Sequence, residues 1–174
     1  TLTIKGKVDV TKELVKTYKT IAEKVVVDID GTVGVDAFRE WKVLKEITIN
    51  CTDAIGGYAV FNTSVEKITV LSASSIAAYA FGYNKELTNV SISNVDTITG
   101  DLFYINTPNL STVSLSNITT VTSGVFQSRA SLTTLTLDHI GTIGRDAFAS
   151  CVNLQNVDLS TVERLGQSAF SCCT

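Results

Sequence analysis

The sequence predicts an α/β repeat solenoid, in which short strands and turns form coils that stack around one core. Two patterns recur along the chain with a period of 21 to 23 residues, and each keeps that period independently of the other. The first is an apolar residue followed by a phenylalanine, and the second is Leu-x-x-Val-x-Leu. A hydrophobic content of 44% supplies enough apolar side chains for one continuous core. Two separate marks that share one period indicate stacked repeats.

Residues 1–21 do not fit the repeat and are predicted to form an N-terminal cap. Leu2-Thr3-Ile4 alternates as a short strand would, and Thr11 is placed to cap a helix over residues 12–21. A solenoid has to cover the apolar face of its first coil, which is the role expected of this segment. Residues 22–174 are predicted to be leucine-rich units of about 22 residues, about seven in number with the last incomplete.

An apolar residue five positions before a phenylalanine marks each repeat, and both side chains are expected in the core. One copy, from Ile55 to Phe61, is a residue longer. A glycine often follows the apolar residue, as at Gly144, and is expected to allow a tight turn before a short helical segment. The pairs are Val33 and Phe38, Ile55 and Phe61, Ile76 and Phe81, Ile98 and Phe103, Val121 and Phe126, Ile143 and Phe148, and Leu165 and Phe170.

The Leu-x-x-Val-x-Leu pattern predicts a strand in each repeat. Its fourth and sixth residues point inward and its third and fifth point outward, because side chains alternate along a strand. Strands from successive coils are expected to pair in parallel, about 4.8 Å apart. The copies begin at Ala22, Leu44, Val65, Leu87, Leu110, Leu132 and Leu154.

The outward positions of these strands are the candidate binding surface. Position three is occupied by Lys24, Glu46, Lys67, Asn89, Thr112, Thr134 and Asn156. Position five is occupied by Val26, Thr48, Thr69, Ser91, Ser114, Thr136 and Asp158. Short hydroxyl groups add hydrogen bonds with little entropy to lose, which favours a recognition surface. The alternative is that threonine suits a strand and keeps the sheet soluble.

Few residues suggest chemistry. His139 is the only histidine, and Asp138 precedes it directly, but adjacent residues in a turn lack the fixed geometry of a catalytic triad. We therefore expect no enzyme, no cofactor and no metal site. Cys151 and Cys173 occupy the same place in neighbouring coils, so the spacing allows a disulfide between them. The alternative is a ladder of two buried thiols.

Charge and composition limit the classes of partner. The net charge of -3 and the pI near 5.1 provide no basic field, so a nucleic-acid partner is not expected. No apolar run approaches the roughly 20 residues that a membrane-spanning helix needs, so membrane insertion is not expected either. The surface after residue 50 is rich in Ser, Thr and Asn, which is commoner on secreted proteins, and we expect an extracellular or cell-surface location.

The unit from Leu154 to Phe170 resembles the treponemal, or BspA-like, class of leucine-rich repeats, as does the Gly-x-x-Ala-Phe element three residues before Cys151. The resemblance covers about residues 22–173. It implies a right-handed leucine-rich-repeat coil with a parallel concave sheet and short helical or 3₁₀ segments on the convex side. The family often has a cysteine three residues after the phenylalanine. Five copies here depart from it, with Trp41, Ser64, Asn84, Asn106 and Arg129 in that place.

The resemblance also implies a use in surface attachment or protein recognition. The leading prediction is a non-enzymatic adhesion or protein-recognition module whose concave face binds a host protein, an extracellular-matrix protein or another surface protein. The alternative is a structural block that stacks end to end through an uncapped C-terminal edge near Cys172, or that docks in a larger extracellular assembly. A third reading has the Ser and Thr rows meeting ice or a polysaccharide lattice, which a curved sheet would match poorly.

Overall fold

The structure, a computed structural model, describes residues 1–103 and 107–173, so Asn106 and Thr174 lie outside the described residues. A parallel sheet of eight strands runs along the molecule, and a second sheet has two short strands. The large sheet contains β1 (Leu2–Gly6), β2 (Lys24–Ile29), β3 (Glu46–Cys51), β5 (Lys67–Ser72), β7 (Asn89–Ile98), β8 (Thr112–Val121), β9 (Thr134–Ile143) and β10 (Val162–Leu165). The small sheet contains β4 (Ala54–Ile55) and β6 (Ser75–Ile76). The predicted parallel-sheet solenoid is confirmed.

The N-terminal residues are built like one more coil. Strand β1 pairs in parallel with β2, and Val10 bridges Val33 just as Val33 bridges Ile55. The segment between β1 and β2 contains a helix, α1 (Lys12–Val15), followed by a 3₁₀ helix (Lys16–Tyr18). The Thr11 hydroxyl accepts a hydrogen bond from the Leu14 backbone N–H at 3.2 Å, so the predicted cap is present. The helical segment ends earlier than predicted, and the role of residues 1–21 as a cap remains a prediction.

Phenylalanine rings form a column through the core. The five rings of Phe38, Phe81, Phe103, Phe126 and Phe148 have no exposed surface, and Phe170 is partly buried. Ring centroids of Phe103 and Phe126 are 5.2 Å apart, and those of Phe126 and Phe148 are 5.0 Å apart with parallel planes. The inward rows of the strands pack against this column as one apolar cluster. From Phe81 to Phe170, the phenyl ring of each coil therefore contacts the ring of the next coil.

Phe61 does not belong to this column, and its predicted place was wrong. Val60 is fully buried at the core position, five residues after Ile55, whereas Phe61 is only partly buried. Its ring contacts Tyr58 edge-on at 5.1 Å and stacks on Tyr83 at 5.9 Å, on the outside of the coil. The copy is therefore of normal length, because spacing rather than residue type determines which side chain faces inward.

In several coils, a residue three positions after the buried core residue carries a side-chain hydrogen-bond donor. This donor links its coil to the preceding coil. It donates to the backbone carbonyl of the preceding core residue, whether it is an amide, a guanidinium or a thiol. The bonds are Asn84 to Val60 at 2.7 Å, Arg129 to Phe103 at 3.0 Å, Cys151 to Phe126 at 3.2 Å and Cys173 to Phe148 at 3.3 Å. Asn84 and Arg129 thus make the same hydrogen bond that Cys151 and Cys173 make in the later coils. With Val60 in the core, the equivalent residue in that copy is Thr63, not Ser64.

The side of the solenoid opposite the sheet, which we call the turn side, consists of turns. Among the described residues, helix occurs only in the N-terminal coil, so the helical segments predicted for the later coils were wrong. Asp146 and Ser150, on either side of Phe148, have positive φ angles of 54° and 60°, and such residues interrupt a helix. The Phe148 N–H instead donates to the Ala169 carbonyl of the next coil at 2.8 Å. Backbone hydrogen bonds therefore join the coils on this side as well.

Gly144 is required for a reason other than the predicted tight turn. Its φ angle is not in the positive range that favours glycine. A Cβ there would lie 2.7 Å from both the Ser123 nitrogen and the Thr122 carbonyl carbon of the preceding coil. Gly56 and Gly166 meet the preceding backbone in the same way, at 2.6 Å. These glycines permit close packing between coils.

The predicted strand after Leu154 is absent. Leu154 is buried, but Val157 and Leu159 are only partly buried, and no strand includes residues 154–159. The Asp158 carboxylate accepts a hydrogen bond from the Ser160 backbone N–H at 2.8 Å, and such a turn competes with strand pairing. Pairing with β9 resumes only at β10.

Candidate binding surface

The two predicted outward rows lie side by side on the large sheet. Backbone register pairs the position-three residues in the order Lys24, Glu46, Lys67, Asn89, Thr112 and Thr134. The same register pairs the position-five residues in the order Val26, Thr48, Thr69, Ser91, Ser114 and Thr136. All of these side chains are exposed or partly exposed. We call this surface of β2, β3, β5, β7, β8 and β9 the strand face.

The first coils give the strand face a ladder of opposite charges. The Lys24 ammonium lies 2.8 Å from the Glu46 carboxylate, and Lys45 makes an equivalent pair with Glu66 beside it. The hydrogen bond from Lys24, together with its charge, holds the pKa of the Glu46 carboxyl below its usual range. Exposed pairs of this kind contribute little to stability, about 0–1 kcal/mol. They leave this end of the face charged but nearly balanced.

The later coils give the strand face a neutral, hydroxyl-bearing portion. Thr69, Ser91 and Ser114 are partly buried neighbours on β5, β7 and β8, and Thr136 is exposed on β9. The strand spacing places successive hydroxyl groups about 4.8 Å apart. No large aromatic side chain occupies either row, although such side chains usually anchor tight interfaces.

Asn156 and Asp158 do not continue the two rows as strand residues. Both are exposed, but they lie in the segment without a strand. Hydrogen bonds from Ser160 hold the pKa of the Asp158 carboxyl below its usual range. The side chain is thus engaged in its own turn.

Sequence reasoning missed a polar ladder at the corner where β7, β8 and β9 bend. Asn94 and Asn117 both have φ of 53°, and the Asn117 amide donates to the Asn94 amide oxygen at 3.0 Å. The Asn94 amide donates in turn to the Leu71 carbonyl at 2.8 Å. The predicted strands of six residues ended before this corner. Asn repeated at the same place in two coils was the signal that could have indicated it.

The cysteines are free thiols. Cys151 and Cys173 each donate to a backbone carbonyl, at 3.2 Å and 3.3 Å, rather than bonding to one another. This arrangement is similar to the thiol ladder considered above, except that Cys173 is only partly buried, and the disulfide between Cys151 and Cys173 stays a prediction. Burial raises the pKa of the Cys151 thiol to about 11, and burial likewise raises that of Cys51 to about 11. Cys172 is exposed.

We expect alkylation of the folded protein at pH 8 to separate these thiols. A pKa of about 11 leaves only about one Cys151 thiol in a thousand ionised at that pH, and the thiolate is the reactive form. Iodoacetamide should therefore modify Cys172 first, and Cys151 and Cys51 only after unfolding, as measured by peptide mapping. Raising the pH toward 11 should speed the reaction of Cys151. Rapid modification of Cys151 at pH 8 would contradict the buried ladder, and thiols still protected after unfolding without reductant would indicate a disulfide.

Among residues 1–103 and 107–173, the structure brings no catalytic group together around His139. The imidazole Nδ1 lies 2.7 Å from the Asp138 carboxylate, and the His139 side chain is 73% exposed. Within the described residues, no group of three His, Cys, Asp or Glu side chains could hold a metal ion. In the same part of the chain, no helix has the length and apolar character needed to cross a membrane. His139 is a solvated residue at the position equivalent to Asn117 in the next coil.

Comparisons with known proteins identify the family of the chain. A family model described as the BspA type leucine-rich repeat region, with six copies, matches residues 20–133 and 53–174. No curated protein has a matching sequence. The chain is similar to a leucine-rich repeat protein from Eubacterium ventriosum, with 14% identity, a TM-score of 0.42, and coverage of 98% of this chain and 88% of that one. Repeats of this family form protein-binding modules and are generally non-catalytic. Because this family match spans most of the chain's length, the chain belongs to the BspA-type leucine-rich repeat family.

Proposed function

We propose that this chain is a recognition module outside the cell that binds a protein partner through the strand face. The observation that carries the proposal is the continuous, in-register row of small polar side chains from Thr48 to Thr136. Short hydroxyl groups lose little entropy on binding, and a row of them can hydrogen-bond along an extended partner. The partner is a host protein, an extracellular-matrix protein or another surface protein, and the contact serves adhesion.

Without aromatic anchors, each module binds with modest affinity. Several modules displayed together then supply the avidity that adhesion requires. The charged ladder through Lys24, Glu46 and Lys67 fixes the register of the partner more than it adds affinity.

Arginine substitutions on the strand face test this proposal. We expect the combined changes Thr69→Arg, Ser91→Arg and Ser114→Arg to weaken binding at least tenfold, because three long charged side chains would occupy the neutral centre of the row. Binding is measured by surface plasmon resonance against a panel of purified extracellular-matrix proteins, and by flow cytometry on host cells.

A charge-matched variant provides the control. Ser123→Arg, Gln127→Arg and Gln167→Arg introduce the same three charges at exposed positions on the turn side. This control should bind like the original chain, and both variants should keep the original circular dichroism spectrum. Equal loss in both variants, or loss in neither, would contradict a binding role for the strand face.

The alternative function, self-association end to end, has its own support. Val157, Leu159 and Phe170 are partly exposed, and with Leu154 and Cys173 they line an apolar surface cavity. Light scattering tests this function, because a molar mass that stays monomeric at all concentrations would contradict it.

A further inference from the structure

A polar notch lies beyond the corner of the long strands, on the surface next to the strand face. It is a surface cavity of about 330 Å³ lined by Asn117, Ile118, Thr119, His139, Gly141, Glu163 and Arg164. Its size is at the lower end of the range for small-molecule sites, about 300–1,000 Å³. The register of β8, β9 and β10 places Thr119, Gly141 and Glu163 at equivalent positions in three successive coils. The notch is therefore separate from the rows assigned to protein recognition.

Gly141 creates the notch. Its two neighbours in the row carry exposed side chains, and Gly141 has none. A Cβ on Gly141 would lie 2.5 Å from the Thr119 carbonyl oxygen, so the close approach of the two backbones excludes any other residue. The gap between Thr119 and Glu163 is thus built into the backbone and does not depend on side-chain rotamers.

The regular ladders of the solenoid change where they reach this notch. The hydrogen-bonded ladder of Asn94 and Asn117 ends at Asn117. His139 occupies the equivalent position in the next coil, with φ of 52°. The row of threonines Thr97, Thr120 and Thr142 ends at Arg164, whose Nε donates to the Thr142 hydroxyl at 3.2 Å. A surface of mainly neutral hydroxyls and amides therefore acquires an imidazole, a carboxylate and a guanidinium at one place.

The lining of the notch offers both hydrogen-bond donors and hydrogen-bond acceptors. Asn117 gives its amide N–H to Asn94, so its amide oxygen can accept a further bond. Arg164 uses Nε on Thr142, which leaves its terminal amino groups to donate, and the Glu163 carboxylate accepts. The Thr119 hydroxyl can do both. Arg164 and Glu163 balance one another in charge, so the notch favours neither anions nor cations strongly.

We propose that this notch binds a neutral sugar residue of a glycan. Each sugar hydroxyl both donates and accepts hydrogen bonds, which suits a lining that offers donors and acceptors and whose charged residues, Glu163 and Arg164, have opposite signs. The His139 ring offers a flat surface beside them. A monosaccharide held by one shallow site binds weakly, so the site adds to the protein contacts of the strand face instead of replacing them.

Amide chemical shifts of the ¹⁵N-labelled chain test the proposal. The probes are the methyl glycosides of glucose, galactose, mannose and N-acetylglucosamine, together with methyl glucuronide as an anionic probe. We expect at least one neutral glycoside to give saturable shifts at Thr119, Gly141 and Glu163, with a dissociation constant in the millimolar range. Saturation by none of the neutral glycosides, tighter binding of the glucuronide, or shifts confined to the strand face would overturn it.

Substitutions locate the site. His139→Asn replaces the imidazole with the residue that already has this backbone conformation at Asn94 and Asn117, so the fold should be unaffected. We expect His139→Asn and Arg164→Ala each to weaken sugar binding at least tenfold without changing thermal stability. Asp96→Asn, an exposed change in the same row, one coil before Thr119 and two coils before Gly141, is the control and should bind normally. Unchanged binding by both site variants would also overturn the proposal.

Discussion

Replacing Phe126 with alanine is expected to lower the free energy of unfolding by about 3–5 kcal/mol. The ring is fully buried, and it lies between the tilted ring of Phe103 at 5.2 Å and the stacked ring of Phe148 at 5.0 Å. Alanine would leave a cavity that neither neighbour can fill without losing its own contacts. Urea unfolding followed by circular dichroism measures the loss as a shift of the midpoint.

Phe61→Ala is the matched control for this change. It removes the same ring from the outside of a coil, where Val60 already occupies the core. Its cost should be less than half that of Phe126→Ala, because the ring is partly exposed and leaves no closed cavity. If Phe61→Ala cost as much as Phe126→Ala, the assignment of Val60 to the core position would be wrong.

Asn84→Ala is expected to cost about 3–5 kcal/mol, although it removes no apolar contact of importance. The fully buried Asn84 amide donates to the Val60 and Phe81 carbonyls at 2.7 Å and 2.9 Å. Its oxygen accepts from the backbone N–H and the hydroxyl of Thr63, both at 2.8 Å. Alanine would leave these buried groups without partners, and each unsatisfied group costs about 1–3 kcal/mol. Differential scanning calorimetry and urea unfolding both measure the loss.

Two further variants make the Asn84 result specific. Asn109→Ala removes one exposed amide that donates to the Lys85 carbonyl at 2.8 Å, and it should cost less than 1.5 kcal/mol, roughly one ordinary hydrogen bond. Asn84→Cys restores a donor toward Val60 of the kind Cys151 supplies to Phe126, so it should recover part of the loss. Equal stability of Asn84→Ala and Asn109→Ala would contradict the buried network.

The architecture could be predicted because two patterns with one period fix both which residues face inward and how the coils stack. The same reasoning failed at Phe61, where residue type was followed instead of spacing. It also failed on the turn side. There the positive φ angles at residues such as Asp146 and Ser150 depend on hydrogen bonds to the next coil, which no local pattern reveals.

The candidate site could be predicted in part. Alternation along the strands was enough to place Thr69, Ser91 and Ser114 in one row. The notch at Gly141 could not be predicted, because it depends on the close approach of the Thr119 carbonyl and on strands that continue past the corner. The buried hydrogen-bond network of Asn84 could not be predicted either, because the sequence showed only that Asn84 occupies a position where the family often has cysteine.

Backbone hydrogen bonds join neighbouring coils on both the strand face and the turn side, and all of them run along the long axis of the molecule. Tension applied between the two ends would therefore load the successive interfaces between coils in series. The chain would then unfold one coil at a time. Each released coil of about 22 residues would lengthen the tether by roughly 70–80 Å. A module of this kind would lengthen in steps under a pulling force, so that an attachment under shear would dissipate mechanical work before it detached.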